Sequence, residues 1–181
     1  VSEASLSVRA KTFVAERRRA AAGNPWFVRG LLVFAGVLAV DQASKLFILY
    51  GLGLYPSQSI ELSPLIDITY LRNTGVSFGV LAGGEARWAL TVFSAAVTAG
   101  LLVWLTGLVR PFAAFGAALI AGGALGNAID RALYGWVVDF IDASDIAFPW
   151  VFNVADSAIN LGVASLLLDA WREGREARRD A

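Results

Sequence analysis

Four long apolar runs divide this chain, at about residues 26–50, 88–108, 112–133 and 151–171. Each is close to the ~20 residues that carry a helix across a bilayer. Arg110-Pro111 separates the second run from the third, and Pro disfavours helix in the residue before it, so a tight turn is predicted there. The two remaining connections are longer. Residues 51–87 open with Gly, Pro and Ser turn signals, after which Ile66, Ile68 and Tyr70 alternate with polar positions, as on one face of a strand. Residues 134–150 hold Trp136, Phe140, Phe148 and Trp150, the aromatic content of a membrane interface.

The fold predicted is an all-α membrane protein of four transmembrane helices. A small strand region lies outside the bilayer in the first long connection, and a second outer loop or short helix in the other. Residues 1–25 are expected as a polar, mobile tail and 172–181 as a second tail, around one membrane domain spanning 26–171. Arg17-Arg18-Arg19 ahead of an apolar run resembles the start of a signal peptide. The run is too long for that, however, and no small-residue cleavage site follows it.

Composition sharpens the picture chiefly by exclusion. The chain is 57% hydrophobic, against the roughly 45–50% of soluble domains. Its formal net charge is zero, so no overall basic field points to nucleic acid. It has no cysteine and no histidine, which excludes disulfides, thiolate chemistry, a Ser-His-Asp triad and His-ligated zinc. Neither cofactor nor metal is expected. Any catalysis must come from Asp, Glu, Lys, Ser, Thr or Tyr.

With four spans, both termini and the 108–111 turn share one side. That side carries Arg9, Lys11, Arg17, Arg18, Arg19, Arg29, Arg110, Arg172, Arg175, Arg178 and Arg179; the opposite loops carry Arg72 and Arg87. The positive-inside bias predicts cytoplasmic termini and long loops outside. Three polar clusters then fall at one depth, in the outer half of the membrane. Asp41 and Lys45 share a face of helix one; Gly123, Asn127, Asp130 and Arg131 recur towards the end of helix three; Asn153, Asp156 and Asn160 begin helix four.

Charged groups in spanning segments are costly and mark function more often than chance would place them. Asp41 and Lys45 read equally well as an intrahelical ion pair or as part of a site, and Asp130 or Arg131 could snorkel. Gly122 and Gly126 form a GxxxG step, whose usual meaning is close helix packing. Asp139 and Asp156 each sit among apolar residues at the mouth of helices three and four. Facing each other, two such carboxylates could share a proton and activate water without a nucleophilic side chain. Asp142 is not excluded as a partner by spacing alone. Ser44-Lys45 suggests a Ser-Lys dyad, but adjacent helical side chains point roughly 100° apart. Lys45 would need Ser77 or Ser157 instead. A carboxylate metal site, a proton relay across the membrane and a purely structural subunit are the other readings. The polar groups cluster at one depth rather than forming a path across, which weighs against the relay.

Five motifs then stand in order: Asp41-Gln42-Ala43-Ser44-Lys45, Asn73-Thr74-Gly75-Val76-Ser77-Phe78-Gly79, Gly123-Ala124-Leu125-Gly126-Asn127-Ala128-Ile129-Asp130-Arg131, Val137-Val138-Asp139-Phe140 and Phe152-Asn153-Val154-Ala155-Asp156-Ser157. Together, over about residues 30–165, they make the chain resemble the bacterial lipoprotein signal peptidases, or signal peptidase II. The resemblance implies an aspartyl endopeptidase of the bacterial inner or plasma membrane; membrane lipid is an expected partner, and a monomer is the expected state. It would remove the signal peptide from diacylglyceryl-modified prolipoproteins, cutting before the lipidated cysteine. It further implies that Asp139 and Asp156 are the catalytic dyad. Asn127, Arg131 and Asn153 would hydrogen-bond the dyad, the substrate backbone or each other, with Gly123 among the supporting positions. Asp41 and Lys45 would orient helix one, and Asn73 and Gly75 would lie where substrate is cradled. Two departures stand out: Val76-Ser77 replaces the two alanines more usual in the family, and the tail before residue 25 is longer than in many members.

Overall fold

Helix-forming residues dominate each apolar run, and the protein, described by a computed structural model over residues 3–75, 85–146 and 150–179, is helical through all four. Helix α1 is Glu3–Ala22, and α2 is Pro25–Leu46, continued by a wider turn over Phe47–Gly51. Strands β1 (Ser59–Glu61) and β2 (Asp67–Asn73) precede α3 (Glu85–Leu105) and α4 (Pro111–Tyr134). Then follow β3 (Val137–Asp142), a single turn at Ser144–Ile146, β4 (Val151–Phe152) and α5 (Val154–Ala177). Among the described residues, four helices are long and apolar enough to cross a membrane: Pro25–Gly51, Arg87–Leu105, Pro111–Tyr134 and Val154–Ala177.

Helix α4 is the axis of the bundle, packed by α2, α3 and α5. Its run of Ala and Gly allows this, because lipid offers no hydrophobic drive and helices associate through close backbone approach. A β-carbon at Gly122 would lie 3.0 Å from the Phe34 carbonyl oxygen on α2, and one at Gly116 would lie 2.8 Å from that of Gly162 on α5. The GxxxG step is therefore a packing surface.

The expected strand is present as β2, with Ile68 and Tyr70 turned towards Ile48, Val138 and Phe140. Ile66 lies just before it. The second long connection holds a short helical turn at Ser144–Ile146, as expected, and in addition contributes β3 and β4 to one antiparallel sheet of order β1-β2-β3-β4. Val137, Val138 and Ile141 are β-branched and suit a pleated surface. The register shifts between Ile68 and Leu71; beyond the shift Leu71 pairs with Asp139 and Asn73 with Val137. Asn73 thus lies diagonally across from Asp139 on one face of the sheet.

The fourth membrane helix begins at Val154, three residues later than the apolar run suggested, because Asn153 caps it from extended geometry. Residues 1–25, expected as a polar, mobile tail, hold α1 at Glu3–Ala22, consistent with the high helix propensity of Ala, Arg, Lys and Glu. Helix α5 runs on to Ala177, where Arg110 at the start of α4 bridges Asp169 and Glu173, both at 2.7 Å. Val76, Ser77, Phe78, Gly79 and Phe148 lie outside the described residues.

Candidate active site

Asn153 sits where β4 gives way to α5, and its side chain organises everything nearby. Its Oδ1 accepts the Asp156 N–H at 2.9 Å, while Asp156 Oδ2 accepts the Asn153 N–H at 3.3 Å. This reciprocal capping box fixes the first turn of α5 and places the Asp156 carboxylate at a helix N-terminus, where negative charge is favoured. The Asn153 Nδ2 turns the other way and donates to Asp139 Oδ1 at 2.7 Å. One residue therefore ties β3 to α5 and bonds both candidate carboxylates, Asp139 through its side-chain amide and Asp156 through its backbone N–H.

Each carboxylate has a second donor. Asn73 Nδ2 donates to Asp139 Oδ2 at 2.8 Å, and Asn127 Nδ2 donates to Asp156 Oδ1 at 2.8 Å. Asp139 is fully buried and Asp156 half-buried, so the pair is approached from the Asp156 side. Burial pushes the Asp139 carboxyl up to about 6; the Asn73 hydrogen bond opposes this, and the nearby Asp156 charge adds to it. A carboxyl titrating there can hold or release a proton close to neutrality.

Beneath the pair lies a layer centred on Lys45. Its ammonium meets Asp41 Oδ2 at 2.9 Å, Asp130 Oδ2 at 2.9 Å and Asn127 Oδ1 at 3.0 Å, which uses all three donors. Gln42 Nε2 bridges the same two carboxylates, at 3.1 Å to Asp41 and 3.2 Å to Asp130. The outward bonds of that layer are specific: Asp41 Oδ1 accepts the Ala155 N–H at 2.9 Å, and Asp130 Oδ2 accepts the Val138 N–H at 3.0 Å. Each buried carboxylate thus holds the peptide N–H of the residue immediately before one of the paired aspartates. Asp41 and Lys45 do form an intrahelical ion pair, but that pair is one edge of a network spanning α2, α4, β3 and α5.

The glycines of α4 make room for this layer. A β-carbon at Gly126 would collide with Asp41 Oδ2, and one at Gly123 with the Ala155 carbonyl oxygen. Gly123 therefore stands under the backbone that leads to Asp156. Gly75 adopts a left-handed φ of 76° and donates its N–H to Asn73 Oδ1 at 2.8 Å, which orients the Asn73 amide towards Asp139. Arg131 reaches the same place: a β-carbon on Gly75 would lie 3.4 Å from its Nη2. The Arg131 Nε is buried with no hydrogen-bond partner among the described residues.

Other candidates are engaged elsewhere. Asp142 accepts from Thr69 Oγ1 at 2.8 Å and Ser144 Oγ at 2.7 Å, and the Ser144 bond holds its carboxyl below the usual range. Ser157 donates to the Asn153 carbonyl at 3.0 Å, and Ser44 to that of Asp41 at 2.8 Å, so neither serine faces Lys45. Asn160 is exposed. Gln42 and Asp130 had no role assigned from sequence. The available signal was their place inside two of the quoted motifs, since both are polar residues in segments otherwise fit for lipid.

The family model described as Signal peptidase (SPase) II matches residues 33–172. The lipoprotein signal peptidase of Caulobacter vibrioides is 50% identical over 141 residues, covering 77% of this chain and 84% of that protein. That of Methylorubrum extorquens is 44% identical over 154 residues, covering 83% and 90%. A solved bacterial membrane enzyme, obtained by the in meso method, superposes with a TM-score of 0.70 at 29% identity, covering 81% of this chain and 89% of that one.

Proposed function

Because the chain belongs to the signal peptidase II family, and is therefore a membrane-embedded peptidase of aspartic type, we propose that Asp139 and Asp156 activate the water that cuts its prolipoprotein substrates. The cut falls before the diacylglyceryl-modified cysteine. The observation that carries this reading is Asn153 bonded to both carboxylates, to Asp139 through its side-chain amide and to Asp156 through its backbone N–H, with Asn73 and Asn127 each giving one of them a further donor.

Asp156, half-buried, takes a proton from water as its oxygen attacks the scissile carbonyl carbon. Asp139, whose burial favours the protonated form, gives its proton to the carbonyl oxygen. Collapse of the resulting diol passes a proton to the departing amine, and the pair again shares a single proton. Arg131 supplies donors for the substrate backbone, its Nε being without a hydrogen-bond partner among the described residues. The basic residues at the end of the bundle far from the dyad favour cytoplasmic termini and a site on the outer face. A lipid-anchored cysteine would reach that depth by lateral entry from the bilayer, and one copy of the chain contains the whole proposed site.

Purified protein in lipid is expected to cleave a diacylglyceryl-modified prolipoprotein and to leave its unlipidated twin intact. Equal cleavage of both would remove the lipid from the recognition argument, and no cleavage of either would remove the proposed substrate class.

The pH profile should carry the signature of Asp139. Its proton is lost as pH rises through about 6, so kcat/KM is expected to fall on that limb. The Asn73 hydrogen bond favours the ionised form, so Asn73→Ala should move the limb to higher pH. An unmoved limb would mean that another group supplies the proton.

A further inference from the structure

The end of the bundle opposite the dyad carries a feature the peptidase chemistry does not use. Asn24, buried between α1 and α2, donates through Nδ2 to the Leu108 carbonyl at 2.7 Å and that of Thr106 at 3.2 Å. This bolts the α1–α2 junction to the end of α3. Helix α1 then lies back across that end, with the Arg17 guanidinium close over Gly107. Between α1 and the bundle opens a groove of about 570 Å³, within the range of small-molecule sites. Its walls are apolar, including Phe13, Val14, Val28 and Val103, and its rim carries Arg17 and Arg18.

Two properties limit what can occupy it. Among the described residues no acidic side chain forms an ion pair with Arg17 or Arg18, so two guanidinium charges stand without a counter-ion at the mouth of an apolar cleft, that of Arg17 over the Phe13 ring. Val28 of the membrane-spanning α2 lines the cleft, and Leu32 four residues on is exposed on the same helix face. An occupant must therefore be anionic at one end, apolar along its length, and at home beside a transmembrane helix.

We propose that this groove binds an anionic phospholipid of the leaflet on α1's side, its phosphate on Arg17 and Arg18 and an acyl chain along Val28 and Val103. Arg suits phosphate through its planar fork of donors, and a basic residue near a membrane surface contributes roughly fivefold in affinity for an anionic headgroup. A free phosphate would leave the apolar walls unfilled, and a zwitterionic lipid would set its own cation beside the two guanidinium groups.

The test uses the full chain in neutral detergent, titrated calorimetrically with dioctanoyl phosphatidylglycerol, dioctanoyl phosphatidylcholine and glycerol phosphate. Wild type is expected to prefer phosphatidylglycerol over phosphatidylcholine at least tenfold and to bind glycerol phosphate weakly. The Arg17→Gln/Arg18→Gln variant should lose that preference. Val103→Trp, which fills the groove, should weaken both lipids, and both variants should retain prolipoprotein cleavage as evidence of folding. Equal affinity for the two lipids in wild type, a preference surviving in the double variant, or glycerol phosphate binding as tightly as lipid would each overturn the assignment. Undiminished lipid binding by Val103→Trp would do so as well. A wild-type dimer made monomeric by Val103→Trp would instead assign the groove to a second copy.

Discussion

Asp139→Asn and Asp156→Asn are each expected to reduce prolipoprotein cleavage by roughly a thousandfold while leaving a folded protein, since a positioned acid or base contributes about 10²–10⁴ in rate. The two losses should not multiply in the double variant, because the carboxylates act as one unit around a shared proton. Stability separates the two substitutions. Asp139 is buried with its carboxyl raised from 3.8 to about 6, so the native state binds the proton more tightly than the unfolded chain. Stability from that proton is present below about pH 4 and is lost as pH rises through 6, amounting to on the order of 3 kcal/mol at most. The amide of Asp139→Asn escapes this loss. It also sets an NH₂ against one of two donors, Asn73 Nδ2 and Asn153 Nδ2, and Asn73 cannot reverse because its Oδ1 holds the Gly75 N–H. An unsatisfied buried donor costs about 1–3 kcal/mol. The terms nearly cancel, so thermal unfolding at neutral pH should shift little although turnover is gone. Residual cleavage within tenfold of wild type in either folded variant would sink the dyad.

Much of this architecture is readable before any coordinates, for physical reasons that differ between elements. A membrane span must satisfy its own backbone over ~20 apolar residues, which leaves a signal no tertiary contact can override. The four spans were accordingly legible, as was β2 through the alternation of Ile68 and Tyr70. Strands β3 and β4 were not, because Val137–Asp142 and Val151–Phe152 are short and abut apolar helices, so periodicity cannot divide them. A local sign did exist for β4: Asn153 three residues before Asp156 is a capping pattern, and it dates the start of α5 better than hydropathy does.

For the site, spacing within one helix was legible and convergence between helices was not. Asp41 and Lys45 announce themselves four residues apart, but nothing local says that Asp130 closes on the same ammonium from α4. Nor does the chain show that Asn153 faces Asp139 as well as Asp156, because that depends on the β2–β3 register and the cap together. The motifs named these residues as a group. Only the packing distinguishes the residues that touch the carboxylates from those that hold the backbone beneath them.

That distinction leads to the second large effect, at Lys45. Lys45→Met is expected to cost about 3–5 kcal/mol, the range for removing one member of a buried ionic cluster. Met matches the stem in length but leaves Asp41 and Asp130 facing each other, almost without solvent, with no cation between them. At least one must then take up a proton, and a neutral carboxyl is a poorer acceptor for the Val138 or Ala155 N–H that it now holds. The strain would fall one residue before Asp139 or one before Asp156. In molecules that remain folded at low temperature, the loss should therefore appear in kcat far more than in KM, since the substrate's own contacts are untouched. Adding Asp130→Asn to Lys45→Met relieves the repulsion and should recover part of the stability, with coupling of about 0.5–3 kcal/mol in a double-mutant cycle. It should not recover kcat, because a carboxylate anchor of β3 is still missing. If Lys45→Met instead costs under 1 kcal/mol and keeps kcat, the buried layer is filler beneath the site. If kcat falls and returns with the second substitution, charge balance alone was at stake, and the two peptide N–H bonds do not position the dyad.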